Sequence, residues 1–142
     1  MTIQVAIIGL GQTGTSVGLA LAEHKGLVHR VGHDIDTGQA RQAEKLGALD
    51  GVKINLPATV ENADLIVLAL PVDQIRQTIE IIAPVLRKGA VVVDLAPVKR
   101  AVMEWACQTL PENRYYVGLA PVRNPLYLDA PESEAAVGHA DL

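Results

Sequence analysis

The 142-residue sequence has a single cysteine, Cys107. One thiol excludes an internal disulfide and a cysteine metal cluster. Its place in a helical stretch near Trp105 and Leu110 predicts an inert, buried thiol rather than a nucleophile. Aromatic residues are scarce as well: three Tyr and one Trp, none interleaved with basic residues, in a chain of net charge −4. That pattern argues against nucleic acid as a partner. No apolar run approaches the roughly 18 to 20 residues that a bilayer crossing needs, and the first run has no basic leader. No membrane partner and a cytoplasmic location are therefore expected. His24, His29, His33 and His139 show no ligand spacing, so no metal is expected either. Internal repeats are not visible.

What is present is apolar substance, 49% of the residues, enough for one domain with a real core but short for a whole two-substrate enzyme. The chain is organised around TIQVAIIGLGQTGTSVGLAL, Thr2 to Leu21. Ile3, Val5, Ala6, Ile7 and Ile8 form a nearly continuous run, as in a strand covered on both faces of a parallel sheet. Gly9, Gly11 and Gly14 then spell G-x-G-x-x-G. The first glycine allows a sharp turn, the second a close approach of a diphosphate to the backbone, and the third a close approach of helix to strand. Val17, Leu19, Ala20 and Leu21 continue at helical spacing, so free amides near Gln12 and Thr13, at the positive end of the helix dipole, would face an anion.

A glycine turn alone is weak evidence, since any strand-to-helix turn can contain glycines. Here a second strand, Leu27 to His33, follows and ends in Asp34, twenty positions past Gly14. At that spacing an acid at the strand tip can accept both hydrogens of an adenosine ribose diol. Such an acid also repels a 2′-phosphate, and Asp36 adds a second negative charge nearby. NAD is expected as cofactor, with NADP the alternative.

Further along, Gly26 is a natural stop for the first helix. Asp36 or Thr37 can cap a second helix, Thr37 to Leu46, ended by Gly47. Val52 to Ile54 suggests a short third strand, and Pro57 to Asn62 a turn or two of helix. Leu65 to Leu70 is a fully apolar fourth strand closed by Pro71. The carboxyl end of such a strand, beside the topological switch point, is where ligands lie, so the backbone of Leu70, Pro71 and Val72 is expected to border the nicotinamide-side ribose. Ile75 and Ala96 complete the expected cofactor contacts. Asp73 to Leu86 reads as a helix, Ala90 to Leu95 as strand five, Val98 to Leu110 as a helix with Val98, Val102, Trp105 and Thr109 along one side, and Tyr115 to Leu119 as strand six. The alternation predicts an α/β doubly wound parallel sheet, the Rossmann fold, in strand order 3-2-1-4-5-6 over residues 1–122. Residues 123–142 read as an exposed loop and tail.

The runs GLGQTG, GHDID, LALPV, GAVVVDLAPVK and YYVGLAP, in that order, resemble the nucleotide-binding half of prephenate and arogenate dehydrogenases, the TyrA-like family of NAD(P)-dependent dehydrogenases. The resemblance covers about Thr2 to Pro121. It implies a small-molecule substrate whose ring alcohol position is oxidised as carbon dioxide leaves. In that family a histidine before the proline after strand six handles the substrate hydroxyl, and a serine in a G-S-V-K turn supports it. This sequence carries Pro97 in place of the serine and Ala120 in place of the histidine, and neither can exchange a proton. Catalytic residues are therefore left unassigned, and a different substrate is expected. Lys99 matches the family lysine and either meets a carboxylate or ribose near the cleft or stands solvated in a first helical turn, where its charge opposes the dipole. Arg100 and Arg123 are weaker candidates. Family enzymes also carry a helical domain that closes the substrate cleft and forms the dimer; it is absent from this chain, so a homo-oligomer is expected only if a longer chain has it.

Two other functions remain open. A non-catalytic NAD-sensing regulatory domain would share the glycine turn and the acid ending strand two. A methyl-donor-binding transferase would share them too, but would not need the closely spaced third glycine. The Leu70-Pro71-Val72 wall and the Asp94 to Lys99 turn favour a dehydrogenase.

Overall fold

The computed structural model describes residues 1–122. The expected loop and tail, with Arg123 and His139, lie outside the described residues. Six strands form one sheet: β1 (Ile3–Ile8), β2 (Val28–His33), β3 (Gly51–Val52), β4 (Leu65–Leu68), β5 (Val91–Asp94) and β6 (Tyr115–Gly118). Every pairing is parallel and the order is β3-β2-β1-β4-β5-β6. The expected architecture and strand order are both met. Short β-branched runs form these strands because each central one is covered on both faces and no polar alternation is needed.

Five helices divide between the two faces: α1 (Gln12–Leu21), α2 (Thr37–Lys45), α3 (Leu56–Val60), α4 (Val72–Ile82) and α5 (Lys99–Thr109). On one face Val5, Ile7, Val67 and Val93 of the sheet pack with Val17 of α1 and Ala40 and Ala43 of α2. On the other, Ala6, Ile8, Ile66, Leu68 and Val92 pack with Val60 of α3, Ile75, Ile79 and Ile82 of α4, and Val102 and Ala106 of α5. The period of two along each strand thus sends alternate residues into two separate cores. Asp36 is the residue that caps α2, accepting from the amides of Gly38 and Gln39, and Asn55 caps α3 through Ala58.

Three local expectations need correction. The buried face of α5 is Val102 and Ala106, whereas Val98 precedes the helix and is exposed and Trp105 is half-buried. Cys107 is exposed: it stands about 100° around the helix from Ala106, which turns it away from the sheet. Gly26 does not end α1, which stops at Leu21 and runs on into a 3-10 turn, Ala22–His24. The glycines that reverse the chain after helical segments are Gly47 and Gly89, at φ of 84° and 85°.

Arg30 is wholly buried, on the α1 and α2 side of β2. Its Nη1 donates to the carbonyls of Gly18, Gly47 and Ala48 at 2.8–3.0 Å. Nη2 and Nε reach Asp50 at 3.0 and 3.2 Å. One guanidinium therefore ties the end of α1 to the loop leading into β3. A Cβ at Gly18 would collide with the Ala48 carbonyl, so the glycine lets that loop come close enough to be held. The Arg30 hydrogen bond holds the Asp50 carboxyl below the usual carboxylate range. A group with a lowered folded value stabilises above its unfolded value and loses that contribution as pH falls through the folded one. Asp50→Asn should therefore be less stable than wild type at pH 7 in urea melts, with the gap closing below about pH 4. Arg30→Met should cost about 1–3 kcal/mol, because it leaves the buried carbonyls of Gly18 and Ala48 without a donor.

Candidate functional site

The carboxyl ends of β1, β2 and β4 converge on the glycine turn. Gly9 has φ of 91°, a conformation open to glycine and costly for other residues. Its amide donates to His33 O at 2.9 Å, so the turn leaves β1 still bonded to β2. A Cβ on Gly9 would strike the Ala69 carbonyl and the Leu70 side chain, and one on Gly14 would strike the Gly9 carbonyl. These two glycines let α1 and the end of β4 close on the strand.

Gly11 is different. A Cβ there would meet nothing nearer than Gln39 Oε1, at 3.9 Å, and would stand in open space. Packing does not require this glycine. The backbone at Gly11 is open to approach from solvent. Gly11 is also the N-cap of α1 and supplies no side-chain acceptor, and no acid stands in the first turn. The first bond closing the helix is Thr15 N to Gly11 O. Among the described residues, the amides of Gln12, Thr13 and Gly14 have no acceptor, and Gln12 and Thr13 are exposed. Unspent amides at the positive end of a ten-residue helix favour an anion.

Asp34, half-buried at the tip of β2, is fixed by two backbone amides: Leu10 N at 2.7 Å to Oδ2 and Asp36 N at 2.8 Å to Oδ1. The first bond links it directly to the glycine turn. A carboxylate oxygen accepts more than one hydrogen bond, so Asp34 retains capacity for a diol while its position is locked. The structure thus brings together Gly9, Gly11, Gln12, Thr13, Gly14 and Asp34. Leu70, Pro71 and Val72 form the adjoining wall at the end of β4, with Leu70 touching the Gly9 side.

Two of the expected contacts are buried. Ile75 is wholly inside the core between α4 and the sheet, 0% exposed, and presents no surface to a ligand. Its place in the amphipathic stripe of α4 outweighs its closeness in sequence to Pro71. Ala96 is also nearly buried, and its amide is spent on Asp94 Oδ1 at 2.7 Å.

At the end of β5 the structure adds a cluster. Asp94 is fully buried and accepts from Ala96 N, from Lys99 Nζ at 2.8 Å and from Tyr116 Oη at 2.9 Å. Lys99 is therefore not simply solvated: it neutralises a buried carboxylate. Burial, and after it the bond to Asp94, push the Tyr116 phenol well above its ordinary value, so it stays a protonated donor. An aspartate ending the apolar run AVVVD was the available sign of this cluster, since a buried acid there demands partners. Pro97 is exposed beside it and Ala120 is exposed beyond β6, and neither provides a titratable group.

A parallel sheet in this order, with a glycine turn and an acid at the tip of its second strand, is the architecture of a dinucleotide-binding Rossmann domain. The family profile for prephenate dehydrogenase, nucleotide-binding domain, matches residues 17–126, and the chain belongs to that family. It is 29% identical over 119 residues to the prephenate dehydrogenase of Bacillus subtilis, which covers 83% of this chain and 32% of that protein. It is 34% identical over 109 residues to a glycerol-3-phosphate dehydrogenase, NAD(P)+, of Moorella thermoacetica, covering 68% of this chain and 32% of that protein. Among solved structures, prephenate dehydrogenase from Aquifex aeolicus in complex with hydroxyphenyl propionate and NAD+ superposes with a TM-score of 0.77 at 25% identity, over 87% of this chain and 43% of the other. Arogenate dehydrogenase of Synechocystis gives 0.72 at 27% identity, over 84% and 41%. The chain spans about a third of the length of the curated relatives it matches.

Gly11 and Gly14 separate binding from folding. Gly11→Ala should keep the wild-type melting temperature yet lose NAD affinity about tenfold or more, the scale of a charged hydrogen bond forfeited. Gly14→Ala should instead lower the melting temperature. Calorimetric titration beside thermal melts checks both. A Gly11→Ala variant that binds NAD normally would remove the diphosphate from this turn.

Proposed function

We propose that this chain binds NAD in preference to NADP, as the nucleotide-binding part of a dehydrogenase whose substrate differs from prephenate and arogenate. The observation that carries the cofactor assignment is the pairing of Leu10 N with Asp34 Oδ2, which joins the anion-receiving turn to the diol-receiving acid in one rigid unit. The diphosphate would lie over the amides of Gln12, Thr13 and Gly14. The adenosine ribose would meet Asp34, and the nicotinamide-side ribose would meet the Leu70-Pro71-Val72 wall. Bound there, the dinucleotide would supply a hydride acceptor. A 2′-phosphate would come against two carboxylates, Asp34 and Asp36, with no guanidinium beside them in sequence before Arg41.

The change of substrate rests on Pro97 and Ala120. Where the resembling family carries a serine and a histidine, these side chains cannot move a proton. The same replacements favour one second reading, a non-catalytic NAD-sensing domain. NADH formation by the full-length protein, screened over small alcohols and cyclohexadienyl acids, distinguishes the two: turnover of any of them supports the enzyme, and tight NAD binding without turnover supports the sensor. A homo-oligomer is part of the proposal only for a chain that continues into a helical domain, and a cytoplasmic setting is part of it in either case.

Cofactor choice is tested by titration. Wild type should bind NAD more tightly than NADP, and Asp34→Asn should weaken NAD about tenfold while narrowing the gap, since a charged acceptor for the diol is lost. Tighter binding of NADP by wild type would overturn the role given to Asp34.

A further inference from the structure

The two edges of the sheet are finished differently. β3 is two residues long, Gly51–Val52, with Asp50 before it and Lys53 after it, and a short, charge-flanked edge does not recruit another strand. β6 is the opposite case. Tyr115–Gly118 and the two residues after it, Leu119 and Ala120, include no charge and no proline. Its pairing with β5 runs without a bulge from Val91 with Tyr115 to Asp94 with Gly118. Among the described residues, β6 has a partner strand on one side only.

The side chains at this edge are those of a core. Tyr115, Val117 and Leu119 share one face of the sheet and are 55%, 43% and 36% exposed. The layer of α1 and α2 covers Val93 on that face but stops short of β6. On the other face Met103 of α5 is exposed beside Tyr116 and Gly118. The backbone is equally unfinished. Tyr115 N donates to Ala90 O and Leu119 N to Asp94 O, both at 2.9 Å. Alternate residues from Tyr115 onward thus bond inward to β5, and the N–H and C=O groups of Tyr116 and Gly118 point away from the sheet.

We propose that β6 pairs antiparallel with β6 of a second copy of this chain, about a two-fold axis at Val117, joining two sheets into one. Register commits the occupant. With the axis there, Tyr116 of each copy faces Gly118 of the other, and these are the residues whose backbone groups point outward, so each such pair exchanges both of its hydrogen bonds. The side chains agree with the same register. Val117 meets Val117, Tyr115 meets Leu119, and the bulky Tyr116 stands opposite a residue without a side chain. The strand is thus complementary to itself, as a two-fold contact between identical chains requires, and the seam buries no charge because β6 carries none. A seam one strand long belongs with the weak, concentration-dependent interfaces. It goes beyond the functional proposal, in which a homo-oligomer comes only with a helical domain, and none of its residues belongs to the glycine turn or to the Asp34 tip.

Val117→Cys, made in a Cys107→Ser background of the whole protein, tests the register. In an antiparallel pair without backbone bonds the two Cα atoms stand about 4.5 Å apart, inside the span of a disulfide, about 4.4–6.8 Å. Under mild oxidation Val117→Cys should give a covalent dimer on non-reducing gels, in a yield that rises with protein concentration. Leu119→Cys, which faces Tyr115 across the axis rather than its own counterpart, should give at least about tenfold less. Hydrogen exchange supplies the second arm: the Tyr116 and Gly118 amides should exchange at least about tenfold more slowly in wild type than in Val117→Lys, where two ammonium groups would meet at the axis. The lysine variant should melt near wild type, because position 117 faces solvent. No cross-link at Val117→Cys, or an equal one at Leu119→Cys, would overturn the pairing. Unprotected amides in wild type would overturn it too, and so would protection that Val117→Lys leaves intact, the mark of an edge covered by a segment of its own chain.

Discussion

The structure depends on the close approach of α1 to the end of β1, made possible because Gly9 and Gly14 lack side chains at the point where helix and strand meet. With any Cβ at position 14 the helix would move off the Gly9 carbonyl, and the amides of its first turn would no longer converge above the sheet. The bond from Leu10 N to Asp34 then ties that turn to β2, and Gly9 N to His33 O ties it again. The glycine turn and the Asp34 carboxylate are thus held at fixed separation by hydrogen bonds from backbone amides. Such preorganisation lowers the cost of ordering on binding.

The same economy governs the second strand. Arg30 reaches three carbonyls and one carboxylate from a buried position, and so anchors the loop between α2 and β3 that flanks the acid-bearing edge. Asp94 does the corresponding work at the other end of the sheet, drawing Lys99 and Tyr116 together. Each buried charge has its partners, and no buried side-chain polar atom among the described residues is left without one. Polar anchors of this kind fix where loops stand at the carboxyl edge, which is where ligands meet a doubly wound sheet.

The sheet was legible in the sequence because its signals are local: apolar runs of strand length, glycines at fixed offsets and an acid at the expected distance. Strand order followed from the same signals, and the cap of α2 was narrowed to Asp36 or Thr37, of which the fold uses Asp36. What the sequence did not disclose depended on rotation and register. Cys107 and Ala106 are neighbours in the chain, yet one faces water and the other the core. Ile75 belongs to the buried stripe of α4, so proximity to Pro71 did not bring it to the crevice. Tyr116 meets Asp94 because β6 lies in register with β5, pairing Val92 with Tyr116 and Asp94 with Gly118. Nothing in the sequence around Arg30 marks it for burial, and only the folded chain gathers its four partners.

The glycine turn and Asp34 stand together at the carboxyl edge of the sheet, joined by the Leu10 amide. The central claim is that the coenzyme rests on the first-turn amides of α1 with its adenosine ribose on Asp34. A crystal structure of the whole protein grown with excess NAD tests this most directly. The account predicts diphosphate density above Gln12 and Thr13 and both ribose hydroxyls within hydrogen-bond reach of the Asp34 carboxylate. An empty crevice, or a dinucleotide bound elsewhere on the molecule, would contradict it.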